Sequence, residues 1–328
     1  RCWALAQAWQ ATGGKAIFVS RCPDALRARV ESSGIGFIPI EGSHPEEADL
    51  EKTLAELAQV KQGPAPSTRP WLVLDGYHFS RGLEMELRRL GLKVATIDDN
   101  ARRFFAAHWI LNGNVHARQL RYRRAKGTKV ALGPRYFIFS EEIRKAGKRR
   151  KAVRKDVRKI LVTMGGADPS NQTLKVLRAI ERAALPRVSV LAIAGTANRR
   201  VAQLKKFARK CCARCRVIQW TPRIGAEMAK ADLGIGSAGR IATEMAYLGL
   251  PGLRIVLADN QRGLIRKIHR ERAAINLGWH RWLTPGRIAV HLRRLIGNVA
   301  LRRKMSDKGR RMFDGKGTDR IVKILESL

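Results

Sequence analysis

The sequence predicts an α/β protein with two doubly wound parallel sheets. Short apolar or β-branched runs alternate with longer amphipathic helical patterns, as in a parallel sheet with covering helices. This series stops at a basic stretch near 140–158 and then starts again. The length of 328 residues suits about two domains, at roughly 150 residues each. We therefore expect an N-terminal domain over residues 1–145 and a C-terminal domain over residues 156–328.

The first half contains four apolar runs that read as buried parallel strands, at 16–19, 37–40, 71–74 and 94–97. Amphipathic helices are predicted between them at about 3–11, 24–32, 46–60 and 81–91, the last ending at Gly91. The chain opens directly in a helical pattern, so the strand that should precede helix 3–11 is missing. We expect its absence to leave an apolar groove between neighbouring strands, and we expect the sequence to be a fragment.

The second half repeats this alternation with more elements. Strands are predicted at 160–164, 188–194, 216–218, 233–235 and 253–257. Helices are predicted at about 170–184, 197–210, 223–230, 240–249, 260–270, 286–296 and 299–311. Ligands of doubly wound sheets bind beyond the carboxyl ends of the strands, so candidate residues are sought in the loops that follow them.

The chain is strongly basic, with 65 Lys and Arg against 27 Asp and Glu and a formal charge of +38. Residues 1–150 hold 26 basic and 15 acidic side chains, whereas residues 151–328 hold 39 and 12. Two basic runs stand out, at 118–129 and 144–159. Neither is interleaved with the aromatic residues that single-strand binders use for stacking, so solvated helix faces and linkers are favoured. Weak contact with nucleic acid or an anionic membrane stays open.

Composition also restricts the compartment and the kind of site. No stretch reaches the roughly 18 to 20 apolar residues that cross a bilayer, and the first residues do not form a signal peptide, so a cytoplasmic protein is expected. Five cysteines are an odd number for a disulfide framework, which favours reduced thiols. Cys211, Cys212 and Cys215 lack a nearby fourth ligand, so no metal site is expected.

The clearest local signal is the apolar run 160–164 followed by Gly165 and Gly166, with a helix beginning near Ser170. Glycines at the end of a strand let backbone N–H groups approach an anion closely, and the following helix adds its positive end. A tight turn that binds nothing fits the pattern equally well, because two glycines are not a phosphate fingerprint.

A second loop of this kind runs from Leu233 to Gly239, and a third follows the strand ending at Leu257. Two glycine-rich loops in one domain would face the same crevice, which suits a diphosphate. Glu244, one turn into the next helix, is a candidate for hydrogen bonds from a ribose diol, with an exposed helix residue as the alternative. The third loop places the amides of Asn260 and Gln261 where they suit sugar hydroxyls, although helix-capping residues are also common there.

These segments resemble a known enzyme family. The matching segments are ILVTMGGADPSNQT, ADLGIGSAGRIATEMAYLGLP, LADNQ and FDGKGTDR. They are similar to the UDP-2,4-diacetamido-2,4,6-trideoxy-β-L-altropyranose hydrolases of pseudaminic acid biosynthesis, relatives of spore-coat polysaccharide proteins and of the transferase that adds GlcNAc to lipid I. In the first half, Arg1-Cys2 resembles the end of a GxGHxxRC motif, residues 74–77 a VDxY motif and residues 97–99 an IDD motif.

The resemblance implies a GT-B architecture, two Rossmann-like domains with UDP held mainly by the second. It implies hydrolysis by water at the anomeric carbon with inversion, and neither a metal nor a cofactor. Site residues carried over from the family motifs are Gly165, Gly166, Ser237 and Gly239 for the diphosphate, Glu244 for the ribose, Asn260 and Gln261 for the sugar or its phosphate, and Tyr77 in the cleft.

The chain departs from the family pattern at three points. The family's proposed base, the histidine of GxGHxxRC, would fall three residues before Arg1. His78 is the nearby histidine that can be nominated instead, against the reading of an ordinary loop residue. Arg240 and Ile241 stand where the family has hydroxyl residues, and Thr243 replaces a tryptophan. Arg240 can pair with a phosphate in fork geometry.

A nucleotide-sugar hydrolase acting as a monomer is therefore the leading hypothesis. The alternatives are a GT-B glycosyltransferase acting on a lipid-linked acceptor and a UDP-sugar-binding protein with impaired catalysis. Nucleic-acid binding ranks last, because charge alone suggests it and no binding module is recognisable.

Overall fold

In a computed structural model of the chain, the structure describes residues 1–40, 55, 70–211 and 214–327. Two compact units are present: unit 1 comprises residues 1–140 and 316–328, and unit 2 comprises residues 141–315. The helix predicted at 46–60 lies outside the described residues, apart from position 55. No described helix has the length and apolar character that crossing a membrane requires.

Unit 1 is built around parallel strands. Its strands are β1 (Ile17–Ser20), β2 (Gly36–Pro39), β3 (Trp71–Asp75), β4 (Lys93–Ile97), β5 (Phe104–Phe105), β6 (Trp109–Asn112), β7 (Arg123–Arg124) and β8 (Lys129–Leu132). Strands β3, β4, β6 and β8 form one sheet in that order, while β1 pairs with β2 and β5 with β7. The α-helices described within residues 1–140 are α1 (Cys2–Gln10), α2 (Asp24–Glu31) and α3 (Arg81–Arg89).

Unit 2 holds a parallel six-stranded sheet. Its strands are β9 (Lys159–Thr163), β10 (Ser189–Ala194), β11 (Arg214–Gln219), β12 (Leu233–Ser237), β13 (Gly252–Val256) and β14 (Ile275–Trp279), in the order β11-β10-β9-β12-β13-β14. Its helices are α4 (Glu141–Arg149), α5 (Gln172–Ala183), α6 (Val201–Lys210), α7 (Ile224–Lys230), α8 (Arg240–Tyr247), α9 (Arg262–Arg270), α10 (Pro285–Gly297) and α11 (Val299–Met312). The order reverses between β9 and β12, so the loops after these two strands flank the crevice of the sheet.

The elements of unit 2 follow from its apolar periodicity. The central strands β9 and β12 are buried along nearly their whole length, as expected for a parallel sheet covered by helices. The core brings inward-facing residues of the strands, such as Val162 and Ile235, against α5 and α10. This packing fixes where the strands end and therefore where the candidate loops lie.

The last helix, α12 (Gly317–Glu326), belongs to unit 1, although the sequence placed residues 156–328 in one C-terminal domain. Its apolar face contributes Ile321, Val322 and Leu325 to a core shared with Leu5 of α1. The indole N–H of Trp71 also donates to the carbonyl of Leu325, at 2.7 Å. Burial of this face against unit 1 is the physical reason for the difference.

A second difference concerns the basic stretch near 140–158, where the two halves were predicted to join. Residues Glu141–Arg149 form helix α4, with Ile143 and Ala146 buried. The Glu142 carboxylate accepts hydrogen bonds from the N–H groups of Gly225 and Ala226, at 3.0 Å each. Helix α4 thus caps the start of α7 within unit 2.

Candidate functional site

The loop after β9 contains Gly165, whose φ of 91° lies in the left-handed region that favours glycine. Asp168 follows, and its two carboxylate oxygens accept hydrogen bonds from the N–H groups of Gln172 and Thr173, at 2.8 Å each. Helix α5 therefore begins at Gln172, later than the sequence predicted, and its positive end already holds a carboxylate. The backbone around Gly165 and Gly166 is the remaining candidate in this loop for contact with an anion.

The loop after β10 packs against the loop after β9. Gly195 has no room for a side chain, because a Cβ there would collide with the carbonyl oxygen and the Cα of Gly166. No role was predicted for this glycine from the sequence pattern. The signal that could have identified Gly195 is its position directly after a predicted strand, because glycines there often mark a close approach of two backbones.

The loop after β12 meets the loop after β9. Ser237 is the last residue of β12 and is 5% exposed. A Cβ placed on Gly165 would lie 3.9 Å from Ser237 Oγ, so these two predicted diphosphate contacts are neighbours. They meet because β9 and β12 are adjacent parallel strands whose carboxyl ends share one edge of the sheet.

The loop after β13 joins the same edge. A Cβ on Gly239 would lie 3.2 Å from the Gln261 amide nitrogen. The Gln261 Oε1 accepts a hydrogen bond from the Leu257 N–H at 3.0 Å, which turns the amide nitrogen toward Gly239. Asn260 is exposed beside it. Three of the loops selected from the sequence therefore lie together, with Gly165 next to Ser237 and Gly239 next to Gln261.

Glu244 and Arg240 form an ion pair on α8. The Arg240 Nε donates to Glu244 Oε1 at 2.8 Å, and the arginine side chain is 36% exposed against 8% for the glutamate. Glu244 is therefore buried, and the alternative of an exposed helix residue is wrong. Burial raises the pKa of Glu244 and the negative charge of Glu142 adds to that rise, while Arg240 opposes it. The phosphate-binding role considered for Arg240 thus concerns a guanidinium that has a carboxylate partner.

In unit 1, Tyr77 belongs to a polar network at the carboxyl ends of β3 and β4. Its hydroxyl donates to Asp99 Oδ2 at 2.8 Å, while the amide of Asn114 donates to Asp99 Oδ1 at 2.7 Å. Arg1 bridges Asp99 and Asp75, donating to Asp99 Oδ1 at 2.7 Å and through Nε to Asp75 at 3.1 Å. Burial raises the pKa of Asp99, but the charge and hydrogen bonds of Arg1 outweigh it and hold that pKa below its usual value.

Asp75 and Asp99 entered the sequence comparison only as parts of the motifs at 74–77 and 97–99, and no role was predicted for them. Their positions directly after two predicted strands were the available signal. The same turn holds His78, whose ring lies 4.1 Å from the ring of Phe79. A Cβ on Gly76 would meet the His78 ring at 2.6 Å, so this histidine folds back over its own turn.

Among the described cysteines, Cys2, Cys22 and Cys215 are free thiols. Cys212 lies outside the described residues. Within the described ranges, no group of three or more His, Cys, Asp or Glu side chains is arranged to hold a metal ion.

Comparisons with known proteins show which fold and which relative this chain resembles. No family model matches the chain. The chain is 26% identical over 204 residues to the spore coat polysaccharide biosynthesis protein SpsG of Bacillus subtilis (strain 168). That alignment covers 61% of this chain and 59% of SpsG.

Solved structures resemble the whole described architecture. MurG of Acinetobacter baumannii matches with a TM-score of 0.68 and 16% identity, over 100% of this chain and 95% of that chain. UGT2 of Phytolacca americana, solved with UDP-2fluoro-glucose and pterostilbene, matches with a TM-score of 0.69 and 14% identity, over 99% and 95%. MnaA of S. aureus, solved with UDP, matches with a TM-score of 0.64 and 12% identity, over 99% and 92%.

At these identities the structural matches establish the fold, which is GT-B, as predicted. The sequence match to SpsG adds a relationship that fold alone cannot give. The match to SpsG agrees with the resemblance to spore-coat polysaccharide proteins found in the motifs.

Proposed function

We propose that the chain is a UDP-sugar hydrolase and that unit 2 binds the nucleotide. The observation that carries the proposal is the meeting of three loops at the carboxyl edge of the unit 2 sheet, with Gly165 beside Ser237 and Gly239 beside Gln261. Backbone N–H groups and one hydroxyl at such an edge suit a diphosphate. The UDP complexes named among the structural matches agree with a nucleotide ligand.

The remaining unit 2 residues take the other parts of the ligand. Glu244 accepts hydrogen bonds from the ribose hydroxyls, because a buried carboxylate is a strong acceptor for a diol. Asn260 and Gln261 contact the sugar or the phosphate attached to it. Gly166 and Arg240 complete the contacts with the diphosphate.

The proposed reaction is a single displacement at the anomeric carbon. A water oxygen forms a bond to that carbon while the bond to the phosphate oxygen breaks, and UDP leaves with the bonding electrons. The free sugar is released with inverted configuration. Backbone N–H groups near Gly165 and Gly239 stabilise the charge that develops on departing UDP, a task that needs no metal. The attacking water gives its proton to a base, for which we nominate His78, with Tyr77 as the second catalytic residue on unit 1.

Glycosyl transfer to a lipid-linked acceptor is the competing activity, since the solved structures of similar fold include a glycosyltransferase. To separate hydrolysis from transfer, the full chain is incubated with a UDP-linked diacetamido-trideoxy sugar, with and without a lipid-linked acceptor. UDP release is followed in the presence of EDTA. A hydrolase releases UDP and free sugar at the same rate without the acceptor. Release that requires the acceptor, or that stops with EDTA, contradicts the proposal.

Binding is tested separately by calorimetric titration of UDP. Glu244→Ala is expected to weaken UDP binding by the value of one or two hydrogen bonds to a charged group, about 1.5 to 3 kcal/mol each. Glu31→Ala, on an exposed helix of unit 1, serves as the control. Binding of UDP with unchanged affinity by Glu244→Ala would remove Glu244 from the site, and tight binding of UDP without any turnover would favour a binding protein.

A further inference from the structure

Unit 2 carries an exposed tryptophan and an exposed valine on one short stretch of chain. Trp282 lies between β14 and α10 and is 69% exposed, and Val290, in the middle of α10, is 62% exposed. They are the two most exposed large hydrophobic side chains that the structure describes. Single exposed apolar residues are common in proteins, so their meaning depends on the residues around them.

The side chains beside this tryptophan and valine are arginines. Helix α10 buries its inner face, which includes Leu292. Val290 lies three residues after Arg287 and four before Arg294, so all three share the outer face of the helix. The two arginines are about 10 Å apart along the helix axis. The Arg287 guanidinium donates to the carbonyl of Trp282 at 3.3 Å, which connects this face to the turn that precedes the helix.

The positive charge of these arginines is not neutralised locally. Helix α10 contains no acidic residue. Within the described ranges, neither Arg281, Arg287 nor Arg294 has a carboxylate partner. Helix α9, just before β14, differs in this respect, because its Lys267 pairs with Glu271 at 2.8 Å. Unpaired arginines around projecting apolar side chains suit a partner that is both anionic and apolar.

We infer that Arg281, Trp282, Arg287, Val290 and Arg294, here called the Trp282 surface, bind an anionic lipid membrane. Tryptophan favours the membrane–water interface, because its ring is largely apolar and its N–H group is polar. The arginines lie beside it, where anionic headgroups attract them. Their long side chains reach the headgroups while the apolar side chains enter the lipid. This inference goes beyond the proposed function and does not depend on it.

The shape of the Trp282 surface favours a membrane over a peptide. A bound peptide helix or extended segment needs a groove or a free sheet edge to receive it. Side chains that are 69% and 62% exposed project from the molecule instead of lining a groove. A row of projecting side chains on one helix fits a broad, deformable surface such as a lipid headgroup layer.

A second copy of the chain and a nucleic acid fit this surface less well. In a symmetric dimer the same patch would face itself, so arginines would meet arginines. Single-stranded nucleic acid stacks its bases on successive exposed aromatic rings. The neighbouring Trp279 is covered by the guanidinium of Arg262, 4.7 Å from its ring centre, which leaves Trp282 as the one freely projecting ring of this stretch.

Flotation of the full chain with lipid vesicles tests the inference. One set of vesicles contains phosphatidylcholine alone, and the other contains phosphatidylcholine mixed with phosphatidylglycerol. We expect binding to the mixed vesicles only, at moderate salt. Trp282→Ala should weaken it at least about tenfold, since the buried apolar area of the ring is lost. Arg281→Gln combined with Arg294→Gln should weaken it about fivefold for each charge, or about 25-fold together.

Matched controls separate this surface from the general basic charge of the chain. Trp220→Ala removes another exposed tryptophan of unit 2, which is 37% exposed. Lys205→Gln combined with Lys206→Gln removes the same charge as the double arginine variant, from two exposed positions on α6. Both controls are expected to change vesicle binding far less than the variants of the Trp282 surface. Thermal unfolding should be nearly unaffected in every variant, because the replaced side chains are exposed.

Three results would overturn the inference. The chain may fail to float with the mixed vesicles, or float equally with both sets, and either result excludes an anionic membrane as the partner. Equal losses in the lysine control and in the double arginine variant would show diffuse attraction by net charge. If Trp282→Ala instead weakens oligonucleotide binding or dissociates a dimer, without changing vesicle binding, the surface serves a nucleic acid or a second copy of the chain.

Discussion

The Cα of Gly195 packs directly against the carbonyl group of Gly166, with no space for a side chain between them. Two loops that follow neighbouring strands, β9 and β10, are thereby stacked at the edge of the unit 2 sheet. The loop carrying Gly165 and Gly166 owes its position to this contact. Glycine at 195 is required by the close approach of the two backbones and not by its own φ angle.

Gly195→Ala is therefore expected to destabilise the protein and to weaken UDP binding together. Forcing one methyl group into a packed contact costs about 1–3 kcal/mol, and the displaced backbone is the proposed anion-binding loop. Thermal unfolding and UDP titration measure the two effects. Gly297→Ala is the control, because a Cβ there meets no atom within 4 Å and its melting temperature should not fall. Unchanged UDP affinity in a folded Gly195→Ala protein would show that the loop does not bind the diphosphate.

Asp99 links stability to pH. Arg1, Tyr77 and Asn114 stabilise its ionised form and lower its pKa against the opposing effect of burial. A carboxyl whose pKa is lowered by folding stabilises the protein above the pKa of the unfolded chain, about 3.9 for Asp, and this contribution is lost as the pH falls through the folded value. We expect Asp99→Asn to lower the free energy of unfolding by about 1–3 kcal/mol at neutral pH.

Urea titrations at several pH values check this expectation. The difference between Asp99→Asn and the unaltered chain should shrink steadily as the pH falls below about 4. Asp307, an exposed residue of α11, provides the control substitution Asp307→Asn. A difference that is the same at neutral and acid pH would mean that the ionised carboxylate is not the source of the stability.

His78 is the nominated base, and its contribution can be measured apart from binding. His78→Ala is expected to lower kcat roughly 10²- to 10⁴-fold, the range of a positioned general base, with little change in KM. The acidic limb of the pH profile should disappear with it. Phe79→Leu controls for the lost ring contact, which lies at 4.1 Å between the two ring centroids. Unchanged kcat in His78→Ala would make His78 an ordinary loop residue.

The basic surface leads to a prediction about partners. With a formal charge of +38, the chain should bind nucleic acid or anionic vesicles weakly and with steep salt dependence, because affinity then comes from counterion release. Fluorescence anisotropy with oligonucleotides of unrelated sequence at rising salt measures it. Binding that distinguishes sequences and persists at physiological salt would promote the nucleic-acid hypothesis, which now ranks last.

Much of the fold follows from local sequence patterns. The apolar run at 160–164 became β9 (Lys159–Thr163), and that at 71–74 became β3 (Trp71–Asp75), because buried parallel strands need continuous apolar residues on both faces. Strands β5 and β7, with two residues each, carry no periodicity and were not predicted. Helix α4 was hidden by its many charged residues, although Ile143 and Ala146 have the spacing of a buried stripe.

By itself the sequence determined the alternation of strands and helices, and hence the loops at the strand ends where Gly165, Gly239 and Gln261 lie. Strands and helices can be predicted in this way because they depend on interactions between near neighbours in the chain. Only the tertiary structure decided that α12 packs in unit 1, that Gly195 supports Gly166, and that Glu244 is buried with Arg240 as its partner. The four-residue spacing of that pair was visible, but only the structure showed that the glutamate of the pair is buried. Burial depends on residues far apart in sequence, which local patterns do not encode.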